Sequence, residues 1–208
     1  MEPALFIDAA SPVISVGLQP AADVAPVWRQ ARDEAGVALF EAVAAITTVV
    51  FCEGPGSLLG VRLTAMALRT WSALPRAKPL RVFGYRSLEL AAASLLARGV
   101  SGPFLVIADG RRSTWNALSV DAAGNFGGIR RRAATEPFAP GEAIFHPSDF
   151  PLWQTLPGGA QTVAYNPTEL PNLAARFSLV RPVATPDAFM TEMPTYREWT
   201  PEHPVRPT

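Results

Sequence analysis

The sequence predicts an α/β protein of two related lobes, residues 1–100 and 101–208, and three observations carry that reading. An apolar strand backed by an aspartate and followed by a second, alternating strand occurs twice, at Ala4–Ile7 before Asp8 and at Phe104–Ala108 before Asp109. The stretch between them alternates helical patterns with apolar strands. Thirteen of the 21 prolines then fall within residues 135–208, so the second lobe is expected to be reduced, turn-rich and poor in regular elements.

Taken in order, Ala9-Ala10-Ser11-Pro12 is a tight turn leading into the alternating strand Val13–Leu18. A third extended piece lies around Pro26–Gln30, and a helical pattern follows through Val37, Phe40, Val43, Ala44 and Ile46. Thr48–Cys52 is flat, apolar and β-branched, as an interior strand should be. Glu53-Gly54-Pro55-Gly56-Ser57 breaks it with residues that tolerate special backbone angles, and Ser57 is placed to cap a helix from Leu58 to Leu74, stopped by Pro75. A strand at Arg81–Gly84 leads to Ser87, a second N-cap candidate, and to a core helix with Leu88, Ala91, Ala92 and Leu95 on one face and Gly99 at its end. Trp115–Val120 pairs with Phe104–Ala108 across Asp109-Gly110-Arg111-Arg112-Ser113. Beyond it the pattern supports one strand, Gln161–Tyr165, one helix, Glu169–Phe177, and a proline-rich tail from Met193 that wraps or frays.

With 208 residues, 49% of them hydrophobic, the chain can bury a core without disulfides. Its net charge of +0 gives no global field for nucleic acid or anionic membrane, so any such partner is met through a local patch or a second protein. The single cysteine, Cys52, sits in an apolar strand and reads as a buried small hydrophobe. No run reaches the roughly 18 apolar residues that cross a bilayer, and no basic region precedes the first apolar stretch, which points to the cytoplasm.

The segment Gly54-Pro55-Gly56-Ser57-Leu58-Leu59-Gly60-Val61-Arg62 is the most informative. A strand feeding a glycine turn into a helix N-terminus offers free backbone N–H groups to an anion. No Gly-Lys-Ser/Thr follows, and the only lysine is Lys78, so the Walker pattern is absent. The spacing also fails the dinucleotide fingerprint. A structural turn, a partner-binding turn and a nucleotide site stay open, in that order. Around the following helix, Leu59, Leu63, Met66, Ala67, Trp71 and Leu74 form one apolar sector and Leu58, Val61, Ala65 and Leu68 another, with Arg62 and Arg69 between. A helix apolar on two faces needs cover on both, which favours a subunit interface over one large core.

Other chemistry is thin. Asp8 and Asp109 each end an apolar strand, where a carboxylate either caps a turn or helps place a metal–nucleotide. The two histidines, His146 and His203, are far apart and flanked by proline, so neither a paired metal site nor a Ser/His/Asp set is visible and no metal is expected. Arg130-Arg131-Arg132 with Arg111-Arg112 is the one basic cluster, read as a solvated strand edge or as a patch for RNA phosphates.

Ile7-Asp8 with Ser11, then Gly54-Pro55-Gly56-Ser57-x-x-Gly60-Val61-Arg62, Gly84-x-x-Ser87-Leu88 and Ala108-Asp109-x-Arg111, in that order and spacing, resemble the TsaB (YeaZ) family over about residues 4–120. The resemblance implies an actin-like, two-lobed ASKHA fold and a non-catalytic, cofactor-free subunit of the tRNA threonylcarbamoyladenosine machinery. Such a subunit binds a TsaD-like paralogue through the helix after the glycine turn, with TsaE as a further partner, tRNA met indirectly, and a homodimer where TsaD is absent. On that analogy the contact is carried by Leu59, Arg62, Leu63, Met66, Arg69 and Thr70, beside the glycine turn of Gly54, Pro55, Gly56, Ser57 and Gly60. Asp8, Ser11 and Asp109 would be a vestige of a nucleotide site. The chain departs from the family at Ala9-Ala10, which replaces a hydroxyl able to serve a phosphate. The alternative is an ATP-dependent phosphotransferase or ATPase of the same fold.

Overall fold

A computed structural model describes residues 3–21, 23–31, 46–75 and 78–191. The helical pattern before Ile46, His203 and the tail from Met193 lie outside them. Among the described residues, two mixed sheets form, with few helices. The first contains β1 (Ala4–Asp8), β2 (Ile14–Gln19), β3 (Val27–Ala31), β4 (Thr48–Cys52) and β5 (Arg81–Tyr85), in the order β5-β4-β1-β2-β3. The second contains β6 (Phe104–Asp109), β7 (Thr114–Val120), β8 (Arg130–Ala133), β9 (Ala143–Pro147) and β10 (Gln161–Val163), in the order β10-β9-β6-β7-β8. In each, the first strand forms an antiparallel hairpin with the second and a parallel pair with the fourth. The duplicated strand-plus-aspartate pattern is thus matched by a duplicated sheet topology. A two-residue strand, β11 (Arg181–Pro182), returns to pair with β5 and adds a sixth member to the first sheet.

The central strands are apolar on both faces because both faces are covered. Leu5 and Ile7 of β1, with Val49 and Phe51 of β4, pack beneath α1 (Leu58–Ala73) through Ala65, Leu68 and Trp71. Phe6, Val50 and Cys52 point the other way and meet α2 (Ser87–Ala97). The same cluster takes in Phe104, Val106, Leu118 and Phe145 of the second sheet, so α2 lies between the two sheets with alanines where they close in. The outer face of the second sheet, with Leu105, Ile107, Trp115 and Ile144, is covered by Phe138, Leu156 and Ala160 from irregular segments in place of a helix. The expected helix at 169–177 is a 3-10 turn, Pro167–Glu169, running into α3 (Leu170–Phe177).

Two local readings are corrected. Ser87 caps nothing: it is the first residue of α2, behind Arg86 at the cap position, and its hydroxyl donates to the Pro55 carbonyl. Trp71 does not belong to an outward sector of α1. It is buried with Val61, Thr64, Ala65 and Leu68 at helical spacing, and Ala67 packs against the same cluster. The apolar surface left outward is a narrower stripe.

Candidate functional site

The glycine turn is built for close backbone packing. A Cβ at Gly56 would overlap the Ala10 carbonyl oxygen, and one at Gly60 would lie 2.5 Å from the Ala9 oxygen. The turn after β1 therefore packs directly against the glycine turn. Two of the turn's own donors are engaged within the chain: Gly54 N–H meets Cys52 Sγ at 3.4 Å and Ser57 N–H donates to the Ala10 carbonyl at 2.6 Å, while the Gly54 carbonyl accepts the Ser87 N–H at 3.1 Å. Ser57 Oγ accepts the Gly60 N–H at 3.4 Å, which makes Ser57 the N-cap of α1, as its position suggested. Pro55 is buried beside it. Ser57→Ala is expected to cost about 1 kcal/mol, read as a fall of about 2–4 °C in Tm.

From this anchored start, α1 turns Leu59 (70% exposed), Leu63 (45%) and Met66 (61%) to solvent in one line, with exposed Thr70 continuing it. Thr70 Oγ1 donates back to the Met66 carbonyl at 3.0 Å. Arg62 and Arg69 edge the stripe, and both engage the chain's own segment 186–191. Arg69 donates to the Pro186 carbonyl at 2.6 Å and pairs with Asp187 at 2.8 Å. Arg62 Nη2 approaches Met190 Sδ at 4.0 Å.

A cleft of about 150 Å³ separates the glycine turn from the tip of the β6–β7 hairpin, lined among others by Gly54, Gly56, Asp109, Arg111, Asn116 and Phe189. That is smaller than the roughly 300–1,000 Å³ of small-molecule pockets. Asp109 reaches it only as the support of the hairpin tip. Its Oδ1 accepts the Arg111 N–H at 2.7 Å and its Oδ2 the Trp153 N–H at 2.8 Å. Arg111, Arg112 and Ser113 all have positive φ (61°, 49° and 55°), a run that L-residues tolerate only when held. Asp109 holds one end, and Ala134 N–H holds the other by donating to the Ser113 carbonyl at 2.7 Å. The basic cluster is divided between faces. Arg131 donates to Thr114 Oγ1 at 3.0 Å on the cleft side. Arg132 packs over Phe138 and pairs with Glu136 at 3.2 Å.

Asp8 does not face the cleft. It is 1% exposed and accepts hydrogen bonds from Tyr85 Oη, from Tyr165 Oη at 2.7 Å and from the Ala10 N–H at 3.0 Å. Burial raises its pKa against the opposing pull of those donors. Burial, and next the Asp8 charge, push both tyrosines well above their ordinary value. Cys52 lies against the same cluster, buried as expected, its thiol driven up by burial and then by Asp8. Ser11 is buried in a local turn, donating to the Val13 carbonyl at 2.9 Å and accepting its N–H at 3.1 Å. The three residues read as a vestigial nucleotide site thus serve two turns and a buried hydrogen-bonded cluster. Sequence reasoning missed both tyrosines: Tyr85 and Tyr165 lie 77 and 157 positions from Asp8, and no local spacing announces them.

His146 is buried in β9, its Nε2 meets no hydrogen-bond partner, and burial lowers its pKa. Among the described residues, no group of three or more His, Cys, Asp or Glu could hold a metal ion, and no helix is long and apolar enough to cross a membrane.

No family model matches the chain, and no curated protein matches it. Solved structures do. One is a Pseudomonas aeruginosa protein described as uncharacterized with similarity to peptidase YEAZ. It is 17% identical with a TM-score of 0.57, over 85% of this chain and 91% of that one. Another is YeaZ from Pseudomonas aeruginosa, 16% identical with a TM-score of 0.54, over 84% and 92%. The chain has the YeaZ-like, actin-like α/β fold.

Proposed function

We propose that this chain is a non-catalytic, TsaB-like scaffold whose α1 stripe docks a TsaD-like paralogue in tRNA threonylcarbamoyladenosine synthesis. One observation carries the reading: Leu59, Leu63 and Met66 stay exposed on a helix whose opposite face is fully used in the core. Burying apolar area of this kind contributes about 25 cal/mol per Å², so a continuous stripe on a fixed helix is a ready docking face. The YeaZ-like fold supports the assignment of that face to a subunit contact, with Thr70 and the polar edge of Arg62 and Arg69 beside it. TsaE would join through the assembly, tRNA would be met indirectly, and a second copy of the chain would cover the stripe when the paralogue is absent. The phosphotransferase alternative has less support, because the Ser57 N–H of the glycine turn and the Asp8 carboxylate are engaged within the chain.

Leu63→Arg tests the proposal, since a side chain 45% exposed can become charged without burying the charge. The expected result is an unchanged circular dichroism spectrum with loss of co-purification with the TsaD-like paralogue encoded in the same genome. Undiminished co-purification would overturn the docking face. Titration with ATP and Mg²⁺ addresses the alternative, and tight binding by the isolated chain would favour it.

A further inference from the structure

The segment Pro186–Thr191 touches three parts of the molecule that are remote in sequence. On α1 it is held by Arg69, through the Pro186 carbonyl and Asp187, and by Arg62 at Met190. On the first wall of the cleft, Phe189 N–H donates to the Glu53 carbonyl at 2.7 Å, and the Arg86 guanidinium lies 3.5 Å from the centre of the Phe189 ring. On the opposite wall, Thr191 Oγ1 meets Asn116 Oδ1 of β7 at 3.2 Å. Pro186 and Ala188 are buried, and Ala188 joins the core between the sheets. A frayed segment makes no such set of contacts: each backbone or charged contact offsets part of the entropy of ordering six residues.

We propose that Pro186–Thr191 is a clasp, carried on the arginine edge of α1, that holds the glycine turn and the β6–β7 hairpin at a fixed separation and keeps the cleft closed. The two walls come from different sheets, and the hairpin tip carries three consecutive positive-φ residues, so an external tie limits how far the tip opens. The clasp runs along one side of the outward stripe of α1 and leaves that stripe uncovered. Its existence therefore does not depend on the docking proposal.

Amide hydrogen exchange on the full chain tests it, with Arg69→Ala and Leu63→Arg beside the unaltered protein. Arg69→Ala removes one charge-assisted hydrogen bond and a partly exposed ion pair. It is expected to speed exchange about tenfold, or about 1.4 kcal/mol of local opening, at Ala188–Thr191 and equally at Gly110–Asn116. Amides of β1 and β6 should keep their protection, and in Leu63→Arg so should those of Ala188–Thr191 and Gly110–Asn116. Faster exchange in the clasp alone, with the hairpin tip unchanged, would overturn the proposal, as would no change in either. If Arg69→Ala loses protection in β1 as well, Phe189→Ala decides instead, because it removes the ring packed against Arg86 while leaving the Arg69 contacts and the Glu53 hydrogen bond in place, and it should open both regions together.

Discussion

Gly56→Ala is expected to destabilise the fold by about 3–5 kcal/mol, a fall of about 6–20 °C in Tm. The added methyl would overlap the Ala10 carbonyl oxygen and approach the Ala10 carbonyl carbon to 2.9 Å, so the obstacle is backbone and no flexible side-chain end can swing aside. Ala10 is itself fixed from two directions: its N–H donates to Asp8 Oδ1 at 3.0 Å, and its carbonyl accepts the Ser57 N–H at 2.6 Å. Relief requires the glycine turn to lift away, which breaks that second bond and moves the first turn of α1. Total stabilities of about 5–15 kcal/mol leave little margin for such a loss. Gly128→Ala is the control, because a Cβ there meets nothing within 4 Å, and it should change stability by less than about 0.5 kcal/mol. Comparable losses in both variants would show that glycine in general, and not this approach of two turns, sets the cost.

The glycine turn also shows how far residue types could be read without coordinates. Its need for special backbone was legible, because glycine and proline constrain φ and crowding directly. What occupies the space was not, because Ala9 and Ala10 lie nearly fifty residues away. The paired alanines after β1 are the residues that fill the turn. The strands of the first sheet were legible for a similar reason: burial on both faces leaves flat apolar runs such as Thr48–Cys52. β8 carries no such signal, being Arg-Arg-Arg-Ala with no buried side chain, whereas β10 is legible as the first part of the expected Gln161–Tyr165 run and stops at Val163. β11 is two residues long and depends on β5 as its template. On α1, periodicity alone placed Trp71 near Leu63, since an 18-residue wheel leaves its position between faces ambiguous. The space over β4 and β1 takes the indole and resolves it.

The cluster around Asp8 supplies the second large effect and a sign that runs against ordinary acid denaturation. Asp8→Ala leaves the Tyr85 and Tyr165 hydroxyls and the Ala10 N–H without their shared acceptor in a buried site. At about 1–3 kcal/mol for each unsatisfied group, less the relief of no longer burying a carboxylate, the expected loss is about 3–5 kcal/mol. Asp8→Asn keeps the volume, keeps an acceptor for Ala10 and offers N–H groups to the two phenolic oxygens, so it should cost about 1 kcal/mol or less near neutral pH. The pH dependence separates the two states of Asp8 itself. Its folded pKa is raised above the ordinary value of 3.8, mainly by burial. Between that value and the raised one, the folded chain holds a proton that the unfolded chain has released, so stability falls as pH rises through the window and is lower above it. The unaltered protein should therefore gain stability relative to Asp8→Asn as pH is lowered from neutral towards 4, measured by urea unfolding at each pH. A difference that stays constant, or that shrinks on acidification, would mean that the tyrosine hydrogen bonds outweigh burial and hold Asp8 ionised in the folded chain.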